Sequence, residues 1–86
     1  MTIIAILATI LGVITGLANI PQIIKIFKTQ SAKDLSLTTN TIFLMSSIVW
    51  LTYGITLNNY PLIIANIIYI ITYSLIVIGF LMYGKK

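Results

Sequence analysis

The sequence predicts an all-α membrane protein, a bundle of three transmembrane helices. Three observations carry that prediction. Hydrophobic residues make up 59% of the chain and charged residues only 7%, and the mean hydropathy of +1.12 is far above that of a soluble domain. The charges are also segregated, with none in residues 1–24 and none in residues 35–84. Finally, one helix over the second run would measure ~75 Å at ~1.5 Å per residue, more than twice a ~30 Å hydrocarbon core. That run must fold back once, so the chain crosses three times. The polar pieces are too short to hold a core of their own, which makes residues 1–86 a single domain.

The first helix is expected over about residues 3–27. It is span-length and no basic segment precedes it, so it reads as a retained helix rather than a cleaved signal peptide. Gly12 and Gly16, in "GVITG", permit close approach of another helix. The stretch "ANIPQIIK", residues 18–25, then places Asn19 and Pro21 inside the apolar run. Pro21 removes one backbone hydrogen bond and clashes with the carbonyl of residue 17, which predicts a kink in the cytoplasmic third. Proline is common in membrane helices, so the kink is either static or a hinge. Asn19 either lines a pathway or hydrogen-bonds backbone groups that the kink exposes.

A polar, basic connection, "KTQSAKD", leads to the second helix at about 35–57, with Asp34 and Ser36 as candidate caps. Asn40, Phe43, Ser47, Trp50 and Gly54 recur at spacings of 3, 4, 3 and 4 and share one face, with Ser46 and Tyr53 beside it. Trp50 lies seven residues inside Leu57, ~10 Å below the helix end at ~1.5 Å per residue. That is deeper than an interfacial tryptophan should sit, whereas Tyr53, Tyr60 and Tyr83 suit such a belt. In the short connection "LNNYP", Asn58 and Asn59 favour a turn and Pro61 opens the third helix, about 61–83. Asn66 stands in "LIIANIIYII" at the depth of Trp50, with Tyr69 and Tyr73 on its face. Taken alone, Asn66 reads equally well as an interhelical hydrogen bond contributing ~0.6 kcal/mol. Together with Trp50 it suits a neutral polyol, whose C–H face stacks on the indole and whose hydroxyls bond to the amide.

The five lysines, Lys25, Lys28, Lys33, Lys85 and Lys86, all lie in the first connection or at the C-terminus. The positive-inside rule places those segments in the cytoplasm and the N-terminus outside. The lysines flank spans and form no basic face with interleaved aromatics, so the expected partner is the lipid bilayer and not nucleic acid. The chain has no cysteine or histidine, and its one acid, Asp34, lies outside the spans. No phosphate-cradling Gly-Lys motif, nucleophile–base pair or metal-ligand cluster is present. The sequence therefore predicts no enzyme, no cofactor, no metal and no proton coupling. What remains is passive movement of an uncharged solute, or no transport. Three helices packed as a solid bundle leave no lumen, so a transporter of this size must oligomerise. Identically oriented copies form a parallel dimer.

With these residues in place, the chain resembles a bacterial semiSWEET, a half-size sugar transporter of the SWEET and PQ-loop group. The resemblance covers essentially the whole length. It rests on Pro21-Gln22, the basic loop into "LSL" (35–37), "WLTYG" (50–54), the short loop before Pro61, and "ANI" (65–67). It implies a parallel homodimer in the bacterial inner (plasma) membrane that moves mono- or disaccharides such as glucose or sucrose by alternating access. Trp50 and Asn66 match the family's sugar-binding pair, and Pro21 with Gln22 its hinge. Phe43 matches the cytoplasmic-gate position and Tyr53 the extracellular one. Asn19, Asn40, Ser47 and Tyr69 are candidates to line the pathway. One stretch departs from the pattern. Some relatives close the outer mouth with an Arg–Asp ion pair, but "TLNNY" offers Leu57 and Asn59 and no charge, leaving Tyr53 packing and amide hydrogen bonds. Two other readings remain. One is a PQ-loop transporter of another small solute such as an amino acid, for which the spans hold no counter-charge. The other is a non-transporting assembly subunit in which glycines and amides are packing devices.

Overall fold

The computed structural model describes residues 2–33 and 35–84. Helices α1 (Ile3–Leu17) and α2 (Ile20–Thr29) form one interrupted rod, followed by α3 (Leu37–Thr56) and α4 (Tyr60–Tyr83). Each helix start has a local cause. The Thr2 hydroxyl accepts from Ala5 N (3.0 Å), Ser36 from Thr39 N (3.1 Å), and Asn59 Oδ1 from Leu62 N (3.2 Å). Each satisfies an N–H that the first turn leaves free. Ser36 is therefore the cap that the sequence suggested, which moves the start of α3 from 35 to 37. Asp34, the other candidate, lies outside the described residues. Asn58 takes the left-handed conformation (φ 51°) that lets so short a connection reverse the chain.

The first helix is not continuous over 3–27. It breaks at Ala18–Asn19 and then runs on to Thr29. Pro21 has no N–H to offer the Leu17 carbonyl, so the ladder fails one turn before the proline. Asn19 N falls back on Gly16 O (3.2 Å), and the regular pattern resumes with Ile23 N on Asn19 O (3.1 Å).

The solid bundle expected from three helices is a single layer. α4 touches α1, α2 and α3, whereas α3 makes at most marginal contact with α1 or α2. The Cα extents are 46 × 21 × 14 Å, and the middle dimension fits three helices side by side at spacings of about 8–10 Å. Small residues set this arrangement. Gly12 lies against Ala65 and Gly16 against Ile68 and Tyr69, while Gly54 lies against Leu62 and Ile63. Gly79 of α4 receives Ile26 and Phe27 of α2. In lipid there is no hydrophobic drive between helices, and close packing at small residues decides who pairs with whom. Here each of these contacts involves α4.

Burial is correspondingly sparse. Among the described residues only Ile26, Ala32, Ala65 and Ile76 are buried hydrophobics, while large apolar side chains stand exposed along all four helices. Only a bilayer or a second protein can cover so much apolar surface. Threonine and serine hydroxyls bond to carbonyls of their own helices, for example Thr15 to Leu11 O (2.7 Å) and Thr52 to Ile48 O (3.0 Å), as a lipid-facing helix requires. Two rods, Ile3–Thr29 and Tyr60–Tyr83, are long and apolar enough to cross a membrane by length and composition. α3 has 20 residues, enough for ~30 Å at ~1.5 Å per residue, but its serines, threonines and asparagine keep it below that apolar standard.

A Cβ on Gly12 would stand 2.8 Å from Ala65 Cβ, too close for either helix to stay in place. Gly12→Ala is expected to cost about 1–3 kcal/mol by overpacking. Adding Ala65→Gly should recover the loss, apart from about 1 kcal/mol of helix propensity. Thermal unfolding of the two single variants and the double variant in detergent measures the coupling, and additive losses would reject the contact.

Candidate functional site

A cleft of about 200 Å³ runs between α3 and α4. Phe43, Ser46, Ser47 and Trp50 line it from α3, at helical spacings of 3, 1 and 3, and Asn66, Tyr69 and Tyr73 line it from α4. The close contact of Gly54 with Leu62 joins the two helices at the end nearest their connection. At the other end the rings of Phe43 and Tyr73 meet with centroids 5.3 Å apart. The cleft lies between these two contacts.

Trp50 and Asn66 form its central pair, and they differ in character. Trp50 is 52% exposed, and its ring stands nearly perpendicular to that of Tyr53 (centroids 5.8 Å, 76°). Asn66 is only 6% exposed, and its Nδ2 donates to Leu62 O at 2.8 Å. Its Oδ1 accepts no hydrogen bond among the described residues. Since no fully buried side-chain oxygen there lacks a partner, that oxygen is open to the surface. Asn66 and Tyr69 also line a wider cleft of about 650 Å³ between α1 and α4, whose small-residue wall includes Ala5, Ala8 and Gly12. The two clefts share these two side chains.

The other residues singled out in the sequence divide. Ser47 and Tyr69 line the cleft, although the buried Ser47 hydroxyl is engaged with Phe43 O (2.8 Å). Phe43 lies at the cleft end, and Tyr53 outside it against Trp50. Asn40 stands apart, because its Nδ2 bonds to Ser36 O (2.9 Å) in the first turn of its own helix. Asn19 is not among the residues that line the cleft. Its Nδ2 donates to the Thr72 hydroxyl (3.2 Å), which in turn donates to Tyr69 O (3.2 Å). Pro21 opens α2, and Gln22 faces a separate cavity beside Lys25. Sequence reasoning passed over Thr72. The signal for it was the need of a membrane-embedded Asn19 for a polar partner on a neighbouring helix. It also left out Ser46 and Tyr73 as lining residues, although both were placed on or beside the right faces.

The cleft offers an indole, a phenyl ring, two phenols, an amide and two serine hydroxyls, with no charged side chain. Its chemistry is stacking plus neutral hydrogen bonding. No group of three His, Cys, Asp or Glu side chains able to hold a metal occurs among the described residues.

The profile of a family described as sugar efflux transporters for intercellular exchange matches residues 2–86. The chain is 36% identical over 70 residues to a sugar transporter SemiSWEET of Bradyrhizobium diazoefficiens, covering 81% of each chain. It is 37% identical over 65 residues to an uncharacterized protein of Methanocaldococcus jannaschii, covering 76% of this chain and 70% of that one. Its fold matches the crystal structure of a bacterial homologue of SWEET transporters with a TM-score of 0.89 and 36% identity, over 96% of this chain and all of that one.

The Asn19–Thr72 bond yields a direct test. Asn19→Ala and Thr72→Val should each lower stability by about 0.6 kcal/mol, and together by no more than either alone. A double-mutant cycle on unfolding in detergent reads this. Additive losses, or no loss at all, would remove the bond from the account of Asn19.

Proposed function

The chain belongs to this family of sugar efflux transporters, which are not enzymes, and from that premise we propose that it moves neutral mono- or disaccharides such as glucose or sucrose down their gradient as a parallel homodimer. The observation that carries the reading is the pairing of Trp50 and Asn66 across one uncharged cleft. The indole offers a flat face to the sugar's C–H groups, and the open Asn66 oxygen accepts from a hydroxyl. The absence of charge among the lining side chains favours a sugar over a zwitterionic amino acid.

The dimensions support a dimer. A single layer cannot enclose a solute, and one cleft of about 200 Å³ falls short of the ~300–1,000 Å³ of ordinary ligand pockets. Two such clefts facing each other reach that range and cover the exposed indoles. Lysines at one end of the layer give both copies the same orientation in the plasma membrane, with the N-terminus outside and the C-terminus cytoplasmic. Lys85 and Lys86 lie outside the described residues and enter this reading through the sequence alone.

Access then alternates between the two ends. On the lysine-bearing side the Phe43–Tyr73 contact acts as the inner gate, and Tyr53 beside Trp50 acts as the outer one. The backbone bond missing at Leu17 makes the rod softest between α1 and α2, where Pro21 with Gln22 serves as hinge. Tyr73 couples hinge to gate, because it packs both on Phe43 and against the cluster of Ile26 and Ile76. For net flux the sugar must bind both states with comparable affinity, since strong preference for one would trap it.

Uptake of labelled glucose and sucrose into proteoliposomes tests the reading. Trp50→Ala and Asn66→Ala should each cut flux about tenfold or more, the effect of losing about 1.4 kcal/mol of binding. Unchanged flux in both would sink the site. A second test concerns the outer mouth, where Leu57 and Asn59 stand in place of an ion pair. Distances between spin labels placed there, measured in bilayers, should show the same closed fraction at low and high salt. A marked salt dependence would contradict an uncharged gate.

A further inference from the structure

A third cavity, of about 430 Å³, opens at the lysine-bearing end of the layer and shares no lining residue with the Trp50 cleft. One wall is a single face of α2, made of Gln22, Lys25, Ile26 and Thr29 at helical spacings of 3, 1 and 3. The opposite wall is the connection after it, with Ala32 and Lys33. Gln30, in the left-handed conformation (φ 53°), ends α2 and turns the chain back, so Lys33 reaches the same opening as Lys25. The turned-back segment is held in place. Ala32 is 3% exposed and packs with Ile26 and Ile76 in the best-buried cluster of the molecule. The cavity therefore has a fixed apolar floor and a basic mouth.

Its charge has no role in moving a neutral sugar, nor is it cancelled within the chain. Five lysines face one acidic side chain in the whole sequence. A single carboxylate cannot neutralise Lys25, Lys28 and Lys33 together, so this end keeps a net positive charge. Two lysines and the Gln22 amide in the wall of one cavity suit a compact anion.

We propose that this cavity binds a phosphate group, supplied by the headgroup of an anionic phospholipid. The location favours the lipid as source. The cavity lies at the end of a rod long and apolar enough to cross a membrane, and basic pockets at such ends gather anionic lipid. Its apolar floor also suits the start of an acyl chain better than it suits a fully hydrated ion. A soluble phosphate ester carries the same chemistry, and the experiment separates the two sources.

The test needs no sugar, so its outcome is independent of the transport reading. Native mass spectrometry and thermal unfolding are run on the purified protein with phosphatidylglycerol, and with phosphatidylcholine as the neutral control. Phosphatidylglycerol should be retained and should raise the unfolding temperature, while phosphatidylcholine should do neither. Lys25→Gln/Lys33→Gln should weaken retention by about 30-fold, at roughly fivefold per lysine near a membrane surface. Lys28→Gln, a lysine outside the cavity wall, should cost no more than about fivefold. Circular dichroism confirms that the double variant is folded. Stabilisation by inorganic phosphate or glycerol 3-phosphate without lipid, lost in the double variant, would keep the site and make a soluble ester its ligand. The proposal is overturned if neither phosphate source binds, or if Lys28→Gln loses as much as the double variant.

Discussion

The structure depends on one constraint, the close approach of every other helix to α4. Gly12 and Gly16 bring α1 onto Ala65, Ile68 and Tyr69, Gly54 brings α3 onto Leu62, and Gly79 admits Ile26 of α2. A Cβ at any of these four positions would overlap its neighbour. Both flanks are held by α4 and make at most marginal contact with each other. The result is a row with α4 in the middle and clefts on either side of it. A chain that had put its small residues between α1 and α3 would have closed into a solid triangle, with no surface for a solute or a second copy.

α4 is therefore more than a scaffold. Within two turns it carries Asn66, Tyr69, Thr72 and Tyr73. Asn66 and Tyr69 line two clefts at once, Thr72 holds Asn19, and Tyr73 touches both Phe43 and the cluster around Ile26. Asn66, Tyr69 and Tyr73 share the face on the cleft and Thr72 is turned toward Asn19, so one short segment serves the site, the tether and the gate.

Much of this was legible in the sequence where a local rule applied. Helix ends followed Ser36, Asn59 and Pro61, because capping is decided within four residues. The Trp50–Asn66 juxtaposition followed from matched depth in adjacent antiparallel helices. What periodicity could not supply was which helix neighbours which. The face shared by Asn40, Phe43, Ser47, Trp50 and Gly54 was correct as a face, yet only its middle lies on the cleft. Gly54 packs on α4, and Asn40 closes on its own first turn. Asn19 meets the same limit. Its partner Thr72 is 53 residues away, and nothing in the spacing of either helix names the other.

The break in the first helix shows what an opening motion must overcome. Above it, Gly16 fixes α1 on Ile68 and Tyr69, and below it Ile26 is locked between Ile76 and Gly79. Asn19 adds a tether to Thr72 between the two. The missing backbone bond lowers the resistance of the rod itself, but the packing below it ties α2 to the lower half of α4, with Phe27 set edge-on to Tyr83 at 5.8 Å. Swinging α2 alone would tear open the cluster of Ile26, Ala32 and Ile76. Moving α2 and the end of α4 together leaves that cluster intact and pulls Tyr73 away from Phe43, which costs one tilted ring contact, about 0.5–1.5 kcal/mol beyond area burial. The second route keeps that cluster, so in the proposed cycle the moving body is the α2–α4 end as a unit. Pro21 then matters because it lets that unit part from α1 without breaking a helical hydrogen bond, a bond the proline had already removed.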